Sequence, residues 1–155
     1  MAGLPIDDVL NAVVSHAESL GAFERVNGFE PGAPPGPGLH AAVWVQDITP
    51  VPRASGLAAT SVRLELALRT YSRVEVEPPD EVDPTMTRAI GQLMTALTAD
   101  FDLGGTVRNV DVLGAHGPAL GAQAGYSRFP ASGELYRVMT LTIPVIINDV
   151  FPQSP

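Results

Sequence analysis

The residues best suited to proton transfer or metal ligation are three histidines, His16, His40 and His116. None stands in an HxH or HExxH spacing, and with no cysteine in the chain a zinc site would have to draw on Asp and Glu. His16 falls beside the apolar stripe of an N-terminal helix and reads as a partly buried structural histidine. His116 lies in a glycine-rich turn, GAHG, a common place for a functional residue, but catalysis is not the favoured reading there. Serine chemistry needs an elbow of the GxSxG kind, and Ser55-Gly56 lacks the strand–turn–helix context. All nine basic residues are arginine, so a lysine nucleophile, a Schiff base and a P-loop lysine are excluded. The glycines of LGG at residues 103–105 match neither a dinucleotide fingerprint nor a phosphate loop.

Carboxylates are more numerous but no better placed. Asp7 and Asp8 occupy the first turn of a helix, where the macrodipole favours them. Glu75, Glu77, Asp80, Glu81 and Asp83 make the densest acidic cluster, without the central glycine and alternation of a calcium loop. Asp100 and Asp102 flank Phe101 at a helix end. Arg63, Arg69 and Arg73 are diluted by Glu65, Glu75 and Glu77, which leaves no basic stripe for nucleic acid. Trp44 reads as core. The chain therefore reads as non-enzymatic, with no catalytic residue, no metal and no cofactor.

The elements that would carry these residues emerge from periodicity. With 155 residues, 45% of them hydrophobic, the chain fits a single domain, 1–155, with an ordinary core. Apolar residues from Ile6 to Leu20 recur at helical spacing behind Pro5, predicting a helix over residues 5–20 that Gly21 stops. A short strand is expected at 23–26, and strands at 39–48 and 61–69. In the latter, Val62, Leu64, Leu66 and Leu68 face a core, while Arg63, Glu65 and Arg69 face water. Asp83-Pro84 suggests an N-cap and first-turn proline for a second helix over 84–99. A strand is expected at 106–113, then a glycine-rich turn region at 114–125. Residues 126–129 are placed to pair with the next strand, the strong one at 135–147. Pro144 should mark an edge, a bulge or a strand end of that last strand.

Fifteen glycines and fifteen prolines gather partly in two loops, residues 30–38 (EPGAPPGPG) and 49–56 (TPVPRASG). The first is too short to separate domains and reads as a clamp or surface arm. The ends near 1–4 and 150–155 are expected to be loose. The sum is an α+β fold: a mainly antiparallel sheet of four to six strands packed by two helices in one layer. A net charge of −8 argues against binding nucleic acid by counterion release. No stretch is apolar for long enough to span a bilayer, and the N-terminus lacks a signal-peptide pattern.

Several phrases carry a resemblance: SLGAFERVNGFEP, LHAAVWVQDITPV, SGLAATSVRLELALRTY, VDPTM, DFDLGGTVRNVDVLG, AGYSRF and LYRVMTLTIPVIIND. In this order they resemble the tail terminator proteins of long-tailed actinobacterial phages, over residues 13–149. The resemblance implies a phage tail-terminator-like fold and a structural virion protein, assembled in the host cytoplasm and placed at the head–tail junction. It implies a ring, six-fold in expectation, that caps the tail tube, stops its polymerisation and offers a docking surface to the head-side connector or neck protein. DNA would pass the channel without specific binding, and no membrane is involved. An antiparallel sheet can extend edge to edge between such subunits. Under this reading Arg53 and Arg69 are the candidate subunit-interface residues. The alternatives are another neck or tail-completion protein, or a small ligand-binding or enzymatic α+β domain centred near His116.

Overall fold

The computed structural model describes residues 3–52, 55–56, 58–74, 79–130 and 132–152. Helix α1 (Ile6–Ser19) begins after Pro5 and buries Val9, Val13 and Ala17 along one stripe. It ends where Gly21 takes a φ of +67°, so that the Gly21 N–H can reach the Glu18 carbonyl at 3.2 Å. β1 (Arg25–Asn27) lies slightly beyond the expected 23–26 and runs parallel to β2 (His40–Pro50). β3 (Ala59–Arg73) pairs antiparallel with β2 on one side and with β6 (Leu135–Pro152) on the other. The far flank of β6 is shared by β5 (Gly121–Arg128) and the two-residue β4 (Asn109–Val110). The sheet order is therefore β1-β2-β3-β6, then β4 and β5 side by side along β6.

Both helices pack on one face of this sheet, giving the expected α+β architecture. Val62, Leu64, Leu66 and Leu68 of β3 and Leu141, Ile143 and Val145 of β6 are fully buried in one core with α1 and α2 (Pro79–Ala99). Side chains of this size contribute roughly 1.5–3 kcal/mol each when taken wholly out of water. The opposite face departs from expectation. Arg63 is 5% exposed and Glu65 and Arg69 are half-buried, so this side of β3 is only partly open to water. At one end it holds a second apolar cluster of Ala42, Tyr71, Phe129, Tyr136 and Val138.

Other boundaries also differ from expectation. Helix α2 starts at Pro79, so Pro84 sits inside it and not at its first position. As the sixth residue of the helix, Pro84 removes the N–H that would bond the carbonyl of residue 80, a local loss in the second turn. The strand expected at 106–113 shrinks to Asn109–Val110, because Asp111 turns inward and Leu113 is left 92% exposed. The latter part of the expected turn region at 114–125 is strand β5, whose glycines are held extended by the ladder to β6. Pro144 lies in mid-strand, opposite Glu65. Its carbonyl accepts from Asp111 N–H at 2.8 Å on the β4 side, so its missing N–H falls where β5 gives way to β4. The ends are better tied than expected: Leu4 packs on the core, and Phe151 and Pro152 pair with Thr60 and Ala59.

One polar contact joins the two helices. His16 Nε2 lies 2.8 Å from Asp100 Oδ2, and Gly104 N–H donates to Asp100 Oδ1 at 3.0 Å. The bond from His16, then that from Gly104, hold the Asp100 carboxyl below the usual carboxylate value. A carboxyl depressed in the folded state adds stability above its unfolded pKa of about 3.9 and loses it as pH falls through the folded value. Denaturant midpoints measured from pH 5 down to pH 2 should therefore fall more steeply for the natural chain than for Asp100→Asn. Parallel curves would show that the pair adds nothing.

Candidate assembly surface

The helix-free face of the sheet is built from alternate residues of four strands. The register sets Ala42, Arg69, Thr140 and Gln123 in one row, and Trp44, Ala67, Thr142 and Gly121 in the next. Arg69 Nε donates to Thr140 Oγ1 at 2.8 Å, and its guanidinium carbon stands 5.4 Å from the centroid of the Trp44 ring. A guanidinium over an indole is worth about 0.5–1 kcal/mol at exposed sites. Trp44, expected in the core, is half-buried here, and its indole N–H donates to Gln46 Oε1 at 3.3 Å. Arg69, Gln123, Tyr126 and Thr140 line a shallow depression of about 330 Å³.

Both ends of this face are closed. At one, Tyr71, Phe129 and Tyr136 pack with ring centroids 5.2–6.2 Å apart. The Tyr136 hydroxyl accepts from Gly36 N–H at 3.0 Å and donates to Glu134 Oε2 at 3.2 Å, which pins the Pro-rich loop 30–38 onto its own sheet. His40 adds a second tie, Nε2 to the Pro37 carbonyl at 2.8 Å. The segment is a clamp on this chain. Burial pushes the hydroxyls of Tyr71 and Tyr136 above the ordinary tyrosine value.

At the other end lies a buried charge cluster that the residue pattern did not announce. Arg63 donates from Nη1 to Glu65 Oε1 at 2.9 Å and from Nη2 to the Pro118 carbonyl. Its Nε has no hydrogen-bond partner and stands 3.7 Å from Asp111 Oδ2. Asp111, 3% exposed, accepts from the N–H groups of Ala115 at 2.7 Å and His116 at 3.0 Å, so it organises the loop that covers Arg63. A Cβ at Gly117 would stand 2.8 Å from Arg63 Cζ; only glycine lets the loop lie this close. The segment TVRNVDVL mixes Thr106, Arg108, Asn109 and Asp111 with its valines, so nothing in its pattern singled out Asp111.

The other candidate residues do not converge. His116 lines a shallow depression with Pro50, Val51, Pro52 and Ala115, apart from both His16 and His40. Ser55 Oγ donates to the Val51 carbonyl at 2.6 Å and accepts from Ser61 N–H at 3.0 Å, a turn bond with no base beside it. Among the described residues no group of three His, Asp or Glu is placed to hold a metal ion. Arg53, Glu75 and Glu77 lie outside the described residues. No described helix is long and apolar enough to cross a membrane.

No protein-family model matches this chain, and no curated protein matches it in sequence. Among solved structures the chain is similar to the sheath/tube terminator of PVC, an extracellular contractile injection system, in its extended state. The identity is 13%, the TM-score is 0.48, and the match covers 100% of this chain and 62% of that one. This chain thus spans less than two-thirds of the length of that terminator.

Removing the Asp111 carboxylate leaves a buried guanidinium short of a counter-charge and frees the N–H groups of Ala115 and His116. Asp111→Ala should therefore cost about 3–5 kcal/mol in a denaturant titration. A loss under 1 kcal/mol would mean that water reaches Arg63 and the cluster is not a closed lock.

Proposed function

We propose that the protein is a non-enzymatic structural virion component, a tail terminator. It forms a ring on the last layer of the tail tube, stops tube growth and presents a surface to the head-side connector or neck protein. What supports this reading is the resemblance carried, in order, by the phrases quoted over residues 13–149. The SLGAFERVNGFEP phrase covers the last residue of α1 and β1, LHAAVWVQDITPV covers β2, SGLAATSVRLELALRTY includes most of β3, and DFDLGGTVRNVDVLG covers the turn after α2 and β4. VDPTM falls on α2, AGYSRF on β5 and LYRVMTLTIPVIIND on β6. The net charge of −8 supports a channel wall that repels passing DNA and does not hold it. Assembly in the host cytoplasm, with the finished ring at the head–tail junction, completes the reading.

The deciding experiment is negative-stain microscopy of lysates from a host carrying the phage with this gene deleted. Filled heads apart from tails, with tubes of irregular length, are the expected result. Separate heads and tails with tubes of uniform length would move the protein to the neck or tail-completion class. Normal particles would sink the reading altogether.

Arg69 is the proposed interface residue within this reading. It lies half-buried on the open face, tied to Thr140 and Trp44, with its guanidinium beside the depression. Arg69→Glu should leave the monomer folded at a cost of about 1–2 kcal/mol for the lost bond and cation–π contact. The same change should weaken the ring, as read by sedimentation of mixtures with tail tubes. Undiminished binding to tubes would remove Arg69 from the interface.

A further inference from the structure

The two flanks of the sheet are not alike. Phe129 N–H donates to the Glu134 carbonyl, which sets the odd residues of β5 toward β6. Ala122, Ala124, Tyr126 and Arg128 therefore turn their N–H and C=O groups away from the sheet, and among the described residues no strand lies beyond them. This edge has no proline and no bulge, and its side chains are mostly small. It carries none of the devices that protect an exposed strand, apart from Arg128 at its end. On the opposite flank β1 covers only His40 to Ala42, so among the described residues β2 presents a second free edge from Val43 to Ile48, bent by a bulge between Val45 and Asp47.

We propose that these edges pair head to tail between copies of this chain, β5 of one copy adding to β2 of the next. Two observations choose a second copy as the occupant. Strand direction alternates without a break through β2, β3, β6 and β5, so an end-to-end repeat sets β5 antiparallel to the next β2. The levels also fit a curved, closed arrangement. Through the ladders Ala124 stands level with Ala41, where β1 already sits, four residues before Val45. Reaching the free part of β2 slides each copy by about 14 Å over a four-strand repeat about 19 Å wide. That shift tilts the strands by roughly 35°, the tilt at which sheets close into barrels. The pairing deepens the ring reading and depends on it only for the number of copies.

The chain has no cysteine, so introduced thiols report without interference. Copies carrying Ala124→Cys are mixed with copies carrying Gln46→Cys, both at exposed positions, and treated with a short bis-maleimide. The mixture is run concentrated alone, and again with tail tubes from the gene-deleted phage. Within one copy the two positions are roughly 20 Å apart, beyond the reach of such a linker. Crosslinks between the two kinds of copy, in either arm, are the expected result. Ala124→Pro, which removes an outward N–H and leaves the β5–β6 ladder intact, should lower their yield at least tenfold with an unchanged circular dichroism spectrum. Crosslinks confined to Ala124→Cys copies alone, or none in either arm, would overturn the edge pairing, even if the protein still capped tubes. Mixed crosslinks in a protein that never binds tube ends would uphold the pairing and sink the terminator reading instead.

Discussion

The long antiparallel pairing of β3 with β6 is the constraint on which everything else in this chain depends. It runs from Ala59 against Pro152 to Arg73 against Tyr136 and sets which face every other side chain meets. The even residues of β3 and the odd residues of β6 make the floor on which both helices sit. A one-residue slip would carry Leu64, Leu66 and Leu68 to the helix-free face, so the register is strongly specified. The pairing has one irregularity, between Thr60 and Val62, and the chain accommodates it locally. Asp149 takes a φ of +52°, and its N–H donates to Ser61 Oγ at 3.1 Å, which compensates for the ladder bond lost at the bulge.

The two strands of that pairing were also the elements most legible in the sequence. Alternation over Val62 to Leu68 and over Met139 to Ile147 reports a buried face directly, because the strand period is two. Helix α1 was legible for the matching reason, three buried positions at a spacing of four. The errors share a cause: local chemistry overruled by a neighbour. GAQAGYSR has weak strand propensity and becomes β5 because β6 offers it a ladder. Arg63 and Glu65 look like residues for water, yet a loop anchored by Asp111 closes over them. No local pattern encodes a loop folding back from so far along the chain. Of the candidate surface, the sequence showed Arg69 and the outline of the strands. It did not show that Trp44 would support the guanidinium or that one sheet edge would be left open.

The arginines explain how an acidic chain can expose a repulsive surface and still hold together. Arg63 is closed in by Glu65 and Asp111, Arg69 by Thr140 and Trp44, and Arg73 lies 3.7 Å from Glu134. Arg108 donates to Asn148, Arg128 to the Gly133 carbonyl, and Arg137 to the Gly125 carbonyl while stacking over Tyr126. The planar guanidinium makes several directed bonds at once, which a lysine ammonium does less well, and here it serves mainly to tie strands and loops together. Six arginines are thereby engaged in the chain's own contacts, while Arg25 and Arg88 are exposed. Asp7, Asp8, Glu18, Glu30, Asp47 and Asp149 remain exposed, so the field felt from outside is negative. For a polyphosphate moving past such a surface, attraction at any single arginine is outweighed by the acids around it.

The same division of labour bears on where a partner can bind. At both ends of the helix-free face the chain has met its own needs, with an aromatic cluster under the Pro-rich clamp and a charge cluster under the Asp111 loop. A partner there would have to displace internal contacts that the chain already makes. The middle of that face and the outer edge of β5 are different, since their backbone and side-chain groups are exchanged with water at little cost. An edge of small residues lets another backbone approach closely, and each ladder bond replaces two bonds to water, so the net gain per bond is modest. Stable association through such an edge therefore needs many bonds made together or copies already held side by side. That requirement favours assembly on a template, where proximity offsets the entropic cost that a short strand pairing cannot overcome on its own.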